Sequence, residues 1–305
     1  PYTHYSVEIP NQNTVITKSG NYLLSVLNDD YEIVFSRRCV FYEDITTVGV
    51  AVFRSRDTKH NMQKQTVQFS VNHPELVINN PNQEINISLF QNHNWATVIN
   101  NIQPQFIKPQ QLVYNHTLKT DFWGGNEFLN FDSKHIRSTS LNIAKTERKD
   151  IYHSYLYTDE QRADKIYTYN PDINGQFVVR TLEANDAKNE ADYSMLHFSL
   201  DAFEPFYDKQ VFVYGAFNNY QLSDDNKMKY NAVDERYYTE IKFKQGFYNY
   251  SYVTLDKNNT IDLNEVDGSF YQTENEYTVI VYYKPFGGIY DRVIGVGNGY
   301  LNQNR

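Results

Sequence analysis

Between residues 237 and 244 apolar and polar positions alternate. Tyr237, Thr239, Ile241 and Phe243 fall on one side of an extended chain, and Tyr238, Glu240, Lys242 and Lys244 fall on the other. This period of two predicts a half-buried strand. Gln245 and Gly246 come next as turn residues. Tyr248, Tyr250 and Tyr252 then alternate with Phe247, Asn249, Ser251 and Val253, so the two segments read as a hairpin. The same grammar runs upstream, over residues 48–53, 66–71, 85–90, 96–99 and 112–114, and over a long pair around 152–157 and 177–182. Polar turns separate these runs at 79–82 and 170–175, where Asn174-Gly175 is a strong turn signal. Near the start, residues 15–17 and 22–24 flank Ser19, Gly20 and Asn21 as a compact hairpin, with further strands at 31–35 and 40–42.

These patterns predict an all-β chain of tandem Ig-like antiparallel β-sandwich domains. A sandwich needs about 100 residues, so 305 residues imply two or three domains. Residues 1–44 carry too few strands to close a sandwich alone; either they pair with strands further along the chain or they complete a domain that begins earlier. Residues 45–190 form a middle β-rich domain, and 191–305 a C-terminal Ig-like sandwich holding the GAFNNY and KQGFYNYSY strings. Between the last two, residues 182–191 read as a connector with room for one helical turn. Composition agrees: aromatic residues make up 16%, with 27 Tyr and 19 Phe against 2 Trp, which favours strands. Tyr buries its ring while its hydroxyl keeps a polar partner, so such a chain can hold a core and still present a wet surface.

The net charge of -9 and the shortness of the basic runs, Arg37-Arg38 and residues 145–149, make nucleic acid a poor partner. The longest apolar stretches, 48–53 and 278–283, fall far short of the roughly 20 residues that span a bilayer as a helix, so no direct membrane span is expected. A single cysteine, Cys39, excludes an intramolecular disulfide. Pro1 is expected to lie just after a processing or other boundary, with any targeting segment ahead of it.

Chemistry-bearing motifs are few. Gly295, Gly297 and Gly299 resemble a dinucleotide loop, but only six residues remain after them, too few for the helix that would hold a pyrophosphate, so a flexible tail is expected. His4, His60, His73, His93, His116, His135, His153 and His197 are scattered, none in a pair at metal-ligand spacing. Residues 256–267 resemble a calcium loop, yet Ile261 stands where an EF-hand requires Gly and Asp267 where it requires a bidentate Glu; a polar hairpin tip draws the same residues. Paired carboxylates for glycoside hydrolysis have no positive support. The expectation is no catalytic residue, no metal and no cofactor. GAFNNY is similar to the GxFNxW pattern of starch- and glycogen-binding sandwich modules, with Tyr220 in the place of the stacking aromatic, and supports a second reading as a glycan-binding module at the cell surface. Its plain structural reading is a strand end, an Asn-Asn turn and an aromatic lid.

Taken together, YTHYSVEIPN (2–11), SGNYLLSV (19–26), FSRRCVFYE (35–43), QNHNW (91–95), GGNEFLNFD (124–132), DINGQF (172–177), GAFNNY (215–220), KQGFYNYSY (244–252), GSFYQTENEYTVIVYY (268–283) and DRVIG (291–295) resemble the plug protein family of the type IX secretion system of the Bacteroidota. The strings run the length of the chain in family order. The chain departs at Leu129 and Asn130, where the family carries more basic and aromatic residues, and at Cys39, where an aromatic is usual.

The resemblance implies a periplasmic, non-enzymatic protein, held peripherally at the outer membrane by a large β-barrel translocon whose periplasmic mouth it seals when no cargo is engaged. Other secretion components are further expected partners. The resemblance also implies a β-rich segment ahead of Tyr2, with residues 1–44 as the closing strands of that upstream sandwich. Exposed aromatics make good anchors, so Trp123, Tyr220, Phe286 and Tyr290 are the expected contact residues.

Overall fold

The computed structural model describes residues 3–301. Strands hold 44% of the chain and helix 5%, so the all-β expectation stands. Two compact units divide it: residues 1–59, 65–122 and 276–305 form the first, and 60–64 with 123–275 the second.

In the first unit two sheets face each other. One joins Thr47–Arg54, Lys64–Asn72, Gln111–Tyr114 and Phe106–Lys108; the other joins Arg292–Tyr300, Glu276–Tyr283, Ile85–Gln91 and Ile99–Asn100. Alternation explains the packing. Val67, Phe69 and Val71 point from the first sheet into a core that meets Ile85, Ile87, Leu89, Tyr277, Val279 and Val281 from the second. The opposite face of Glu276–Tyr283 carries Ile280 and Tyr282, which pack with Phe90, Val293, Trp95 and Val40. Tyr282 also donates to the Asn21 side chain at 2.9 Å, so the N-terminal hairpin covers this second apolar face.

The second unit is also a sandwich. Ile143–Arg148, Tyr152–Leu156, Tyr193–Asp201, Arg236–Lys244 and Lys229–Asn231 form one sheet, and Gly246–Leu255 pairs with Leu129–Asp132, Phe177–Val179 and Gln210–Tyr214 in the other. Two pairings, of Tyr152–Leu156 and Asp159–Glu160 with Tyr193–Asp201, are parallel, in a sheet whose other pairings are antiparallel. The core is aromatic. Phe131 stacks on Tyr248 with ring centroids 5.2 Å apart and meets Phe198 and Phe243 edge-on. Truncating a fully buried Phe of this kind costs roughly 3–5 kcal/mol.

Several sequence expectations are corrected by these pairings. Arg236–Lys244 and Gly246–Leu255 are not a hairpin: the first pairs Tyr193–Asp201 and the second Leu129–Asp132 and Phe177–Val179, so the chain steps between sheets at Gln245. Gly246 permits that step, because a Cβ there would lie 2.4 Å from the Val178 carbonyl oxygen. The first hairpin joins Gly20–Leu27 to Ile33–Phe41, with residues 15–17 outside it. Strands 152–156 and 177–179 do not pair with each other. The helical turn in the 182–191 connector exists, as Ala187–Glu190 capped by Asp186. The boundary there does not, since strands on both sides of it share sheets; a division at 190 also separates Ile85–Gln91 from its partner Glu276–Tyr283.

The Gly-rich segment is likewise a core strand, Arg292–Tyr300, and its described residues are no flexible tail. Gly295, Gly297 and Gly299 sit against Thr46, Val48 and Val50, where added Cβ atoms would come within 2.1, 2.6 and 2.5 Å of their neighbours. Glycine at every second position lets this strand lie close to Thr47–Arg54.

Candidate functional site

The connection between Glu276–Tyr283 and Arg292–Tyr300, residues 284–291, presents Phe286 at 97% exposure and Ile289 at 87%. Gly287 holds φ +77° in this turn. Large apolar side chains this exposed on a connection between paired strands are good contact residues. The base of the connection is braced. Arg292 pairs with Glu43 through its Nε at 3.0 Å, Ser19 donates to the same carboxylate at 2.5 Å, and Ser19 Oγ accepts from the Val293 amide at 3.0 Å. The Arg292 hydrogen bond is the main cause holding the Glu43 carboxyl below its ordinary value. Tyr290, half-buried under the Lys18 ammonium 5.0 Å from its ring, lines a shallow polar groove with Ile16, Tyr42, Glu43 and Arg292.

In the second unit Trp123 is 41% exposed. Its ring meets His60 edge-on at 5.2 Å, and Lys64 Nζ lies 4.6 Å from its centroid. It lines an open groove of about 970 Å³ with Met62, Ile166, Tyr167, Ile261 and Phe270. Ile166 is 93% exposed there. A concave apolar surface with cationic and polar edges suits a partner's side chains.

Tyr220 is placed differently. Its ring packs on Tyr214 at 5.1 Å and joins the small core of Phe212 and Val253, and its hydroxyl faces Gly175, where a Cβ would lie 2.6 Å away. Burial raises its phenol above the ordinary value. The expectation that Tyr220 is an exposed anchor is therefore corrected: GAFNNY ends in the aromatic lid, with a 3-10 turn at Ala216–Asn218 and positive φ at Asn219 and Tyr220. The ring is partly buried against its own fold. Of the four expected residues, only Phe286 and Tyr290 share one connection. Sequence reading missed Ile289, Met62, Ile166 and Ile261; the one available signal was Ile289, three residues beyond Phe286 in a Pro-Phe-Gly-Gly-Ile turn.

Two carboxyls of the second unit's interior are raised well above their ordinary value. Asp159 accepts from the Tyr250 and Tyr252 hydroxyls at 2.8 and 2.7 Å, and burial pushes it up to about 6 against the pull of those bonds. Asp172, raised by burial to about 7, accepts from the amides of Phe128 and Asn174. Arg162 donates to Asp267 at 2.8 Å and to the Glu127 carbonyl at 2.9 Å. Shifted groups are catalytic candidates only where a reacting atom can reach them; here protein hydroxyls and amides occupy the carboxylates. In the loop resembling a calcium site, Asp256 Oδ1 accepts from the Asn258 and Thr260 amides, as a turn requires. Among the described residues, His153, His197 and Glu240 form the one group with metal-ligating geometry.

The profile for the Type 9 secretion system plug protein 1st domain matches residues 1–43. The chain belongs to the type IX secretion plug family. A crystal structure of a hypothetical protein from Parabacteroides merdae ATCC 43184 superposes on the plug chain with a TM-score of 0.90 at 30% identity, covering 96% of this chain and 74% of that one. No curated protein matches. Among the described residues of the plug chain no helix is long and apolar enough to cross a membrane.

Proposed function

We propose that this plug-family chain closes the periplasmic mouth of a large outer-membrane β-barrel translocon while no cargo is engaged. In this reading it is a periplasmic protein, held at the outer membrane only through the barrel, and works without turnover. Family membership supports the assignment to secretion. The observation that carries the contact role is the pair Phe286 and Ile289, almost fully exposed on a two-stranded connection whose base is tied down by Glu43, Arg292 and Ser19. Exposed apolar groups on a stiff support lose little conformational freedom on docking, which favours many modest contacts over one deep pocket. The Trp123 groove is a second contact candidate of the same kind. A non-catalytic role is supported by Asp159 and Asp172, whose oxygens serve the fold's own hydroxyls and amides.

Deletion of the plug with the translocon still assembled tests sealing. Cells without it should admit large hydrophilic compounds that the outer membrane normally excludes. Unchanged permeability would count against the reading.

A further inference from the structure

The outer face of the sheet built from Ile143–Arg148, Tyr152–Leu156, Tyr193–Asp201 and Arg236–Lys244 carries a cluster that plugging does not use. Leu196, Phe198 and Leu200 point into the core, so Met195, His197 and Ser199 point away from it. The register sets Glu240 directly opposite His197 on one side and Tyr155 opposite it on the other. His153, two residues before Tyr155, shares that face. Three strands therefore deliver two imidazoles and a carboxylate to one spot.

The ligand atoms lie close together. His153 Nδ1 and His197 Nε2 lie 2.8 Å apart, and the three side chains offer ligand atoms within 4.8 Å of one another. Asp150 stands 3.6 Å from the remaining nitrogen of His153, and Glu240 stands 3.5 Å from that of His197. Asp150 can thus fix the tautomer of His153 as a carboxylate behind the second ring nitrogen of a metal-bound histidine does, whereas Glu240 would turn from His197 Nδ1 toward the ion. Tyr155 stacks on His197 with centroids 4.1 Å apart and planes at 9°, and is held by its own hydrogen bond to Glu147 at 2.6 Å. Both imidazoles are largely buried, while Glu240 remains exposed and free to swing. Beside them an open hollow of about 860 Å³, lined by Met195, Ser199, Tyr238 and Lys242, gives an ion a way in.

We propose that His153, His197 and Glu240 bind a divalent transition-metal ion of the zinc class, through His153 Nδ1, His197 Nε2 and a carboxylate oxygen, with water completing the shell. Two nitrogens each about 2.0–2.1 Å from one ion stand roughly 3.3 Å apart at a tetrahedral angle, so the pair opens by about half an ångström on loading. Imidazole and carboxylate donors suit zinc, cobalt, nickel and copper and disfavour calcium.

The test uses the full chain, stripped of metal and titrated with Zn²⁺ by calorimetry and with Co²⁺ by visible absorption. One equivalent should bind, with nitrogen-ligand d–d bands for Co²⁺, and Zn²⁺ should raise the melting temperature. His153→Gln and His197→Gln, which preserve ring-sized volume and polarity, should each abolish the bands and the thermal shift. Glu240→Gln should weaken binding roughly tenfold or more, and His116→Ala, in the other unit, should leave it unchanged. Cooperative unfolding of each variant checks that it is folded. Absence of stoichiometric binding to the wild type, or binding retained by folded His153→Gln/His197→Gln, would overturn the proposal and leave a ring-to-ring hydrogen bond in its place.

Discussion

The side-chain oxygen of Asn249 accepts a hydrogen bond from the backbone N–H of Gly175 at 3.2 Å, fastening a turn to a strand 74 residues further along the chain. The same oxygen accepts from the Ile173 backbone N–H at 2.7 Å, the Asn249 backbone N–H donates to the Gln176 carbonyl, and the Ala216 backbone N–H donates to the Gly175 carbonyl. Three of the family strings, DINGQF, KQGFYNYSY and GAFNNY, thus meet in one knot. Asn249 is fully buried there. Asn249→Ala would leave two amides without their acceptor, each worth about 1–3 kcal/mol when buried. Denaturant unfolding should show a loss of roughly 2–4 kcal/mol with an unchanged slope; a loss under half a kilocalorie would show that the turn holds without its clamp.

Gly297 faces Val48, whose carbonyl oxygen would lie 2.6 Å from an added Cβ. Neither neighbour can withdraw, since both belong to strands. Gly297→Val should therefore destabilise by about 1–3 kcal/mol through overpacking, whereas the same change at Gly125 would meet nothing within 4 Å but would be strained by its φ of +64°. A Gly297→Val protein with wild-type melting temperature would contradict the close packing of this strand.

Asp159 gives a pH signature. Its carboxyl titrates near the ordinary 3.8 in the unfolded chain and is raised to about 6 in the fold, by burial first and by Asp267, against the opposing influence of Tyr252, Tyr250 and Arg162. Between those values the native state keeps a proton that the unfolded state has lost, so stability falls as pH rises from about 4 to 6 and the penalty is fully present above that window. Allowing for partial solvent contact, the change is on the order of 1–3 kcal/mol. Asp159→Asn removes this component. The difference in unfolding free energy between variant and wild type should shift in the variant's favour across the window; a difference flat from pH 4 to 7 would contradict the assignment.

Faces were legible in the sequence and partners were not. The alternation from Tyr237 to Phe243 correctly assigns which side chains enter the core, because a period of two comes from strand geometry alone. It does not say which sheet receives the next strand: that depends on Gly246 approaching Val178, a contact between segments far apart in sequence. For the same reason Tyr220, whose aromatic character marks it equally as a lid or an anchor, was settled only by its packing on Tyr214. Ligand spacing along the chain could not find His153, His197 and Glu240, since strand register across Tyr152–Leu156, Tyr193–Asp201 and Arg236–Lys244 brings them together. The exposure of Phe286 was legible because it sits in a Pro-Phe-Gly-Gly turn, where a large apolar side chain has nothing to pack against.

The central claim is that this chain docks on a giant barrel, and gentle solubilisation of native outer membranes, then affinity recovery of the chain, tests it most directly. The account predicts recovery together with a very large β-barrel, and loss of that association when Phe286→Asp and Ile289→Asp are combined in a chain that remains folded. Recovery of the wild-type chain alone, as a monomer without a membrane partner, would contradict it.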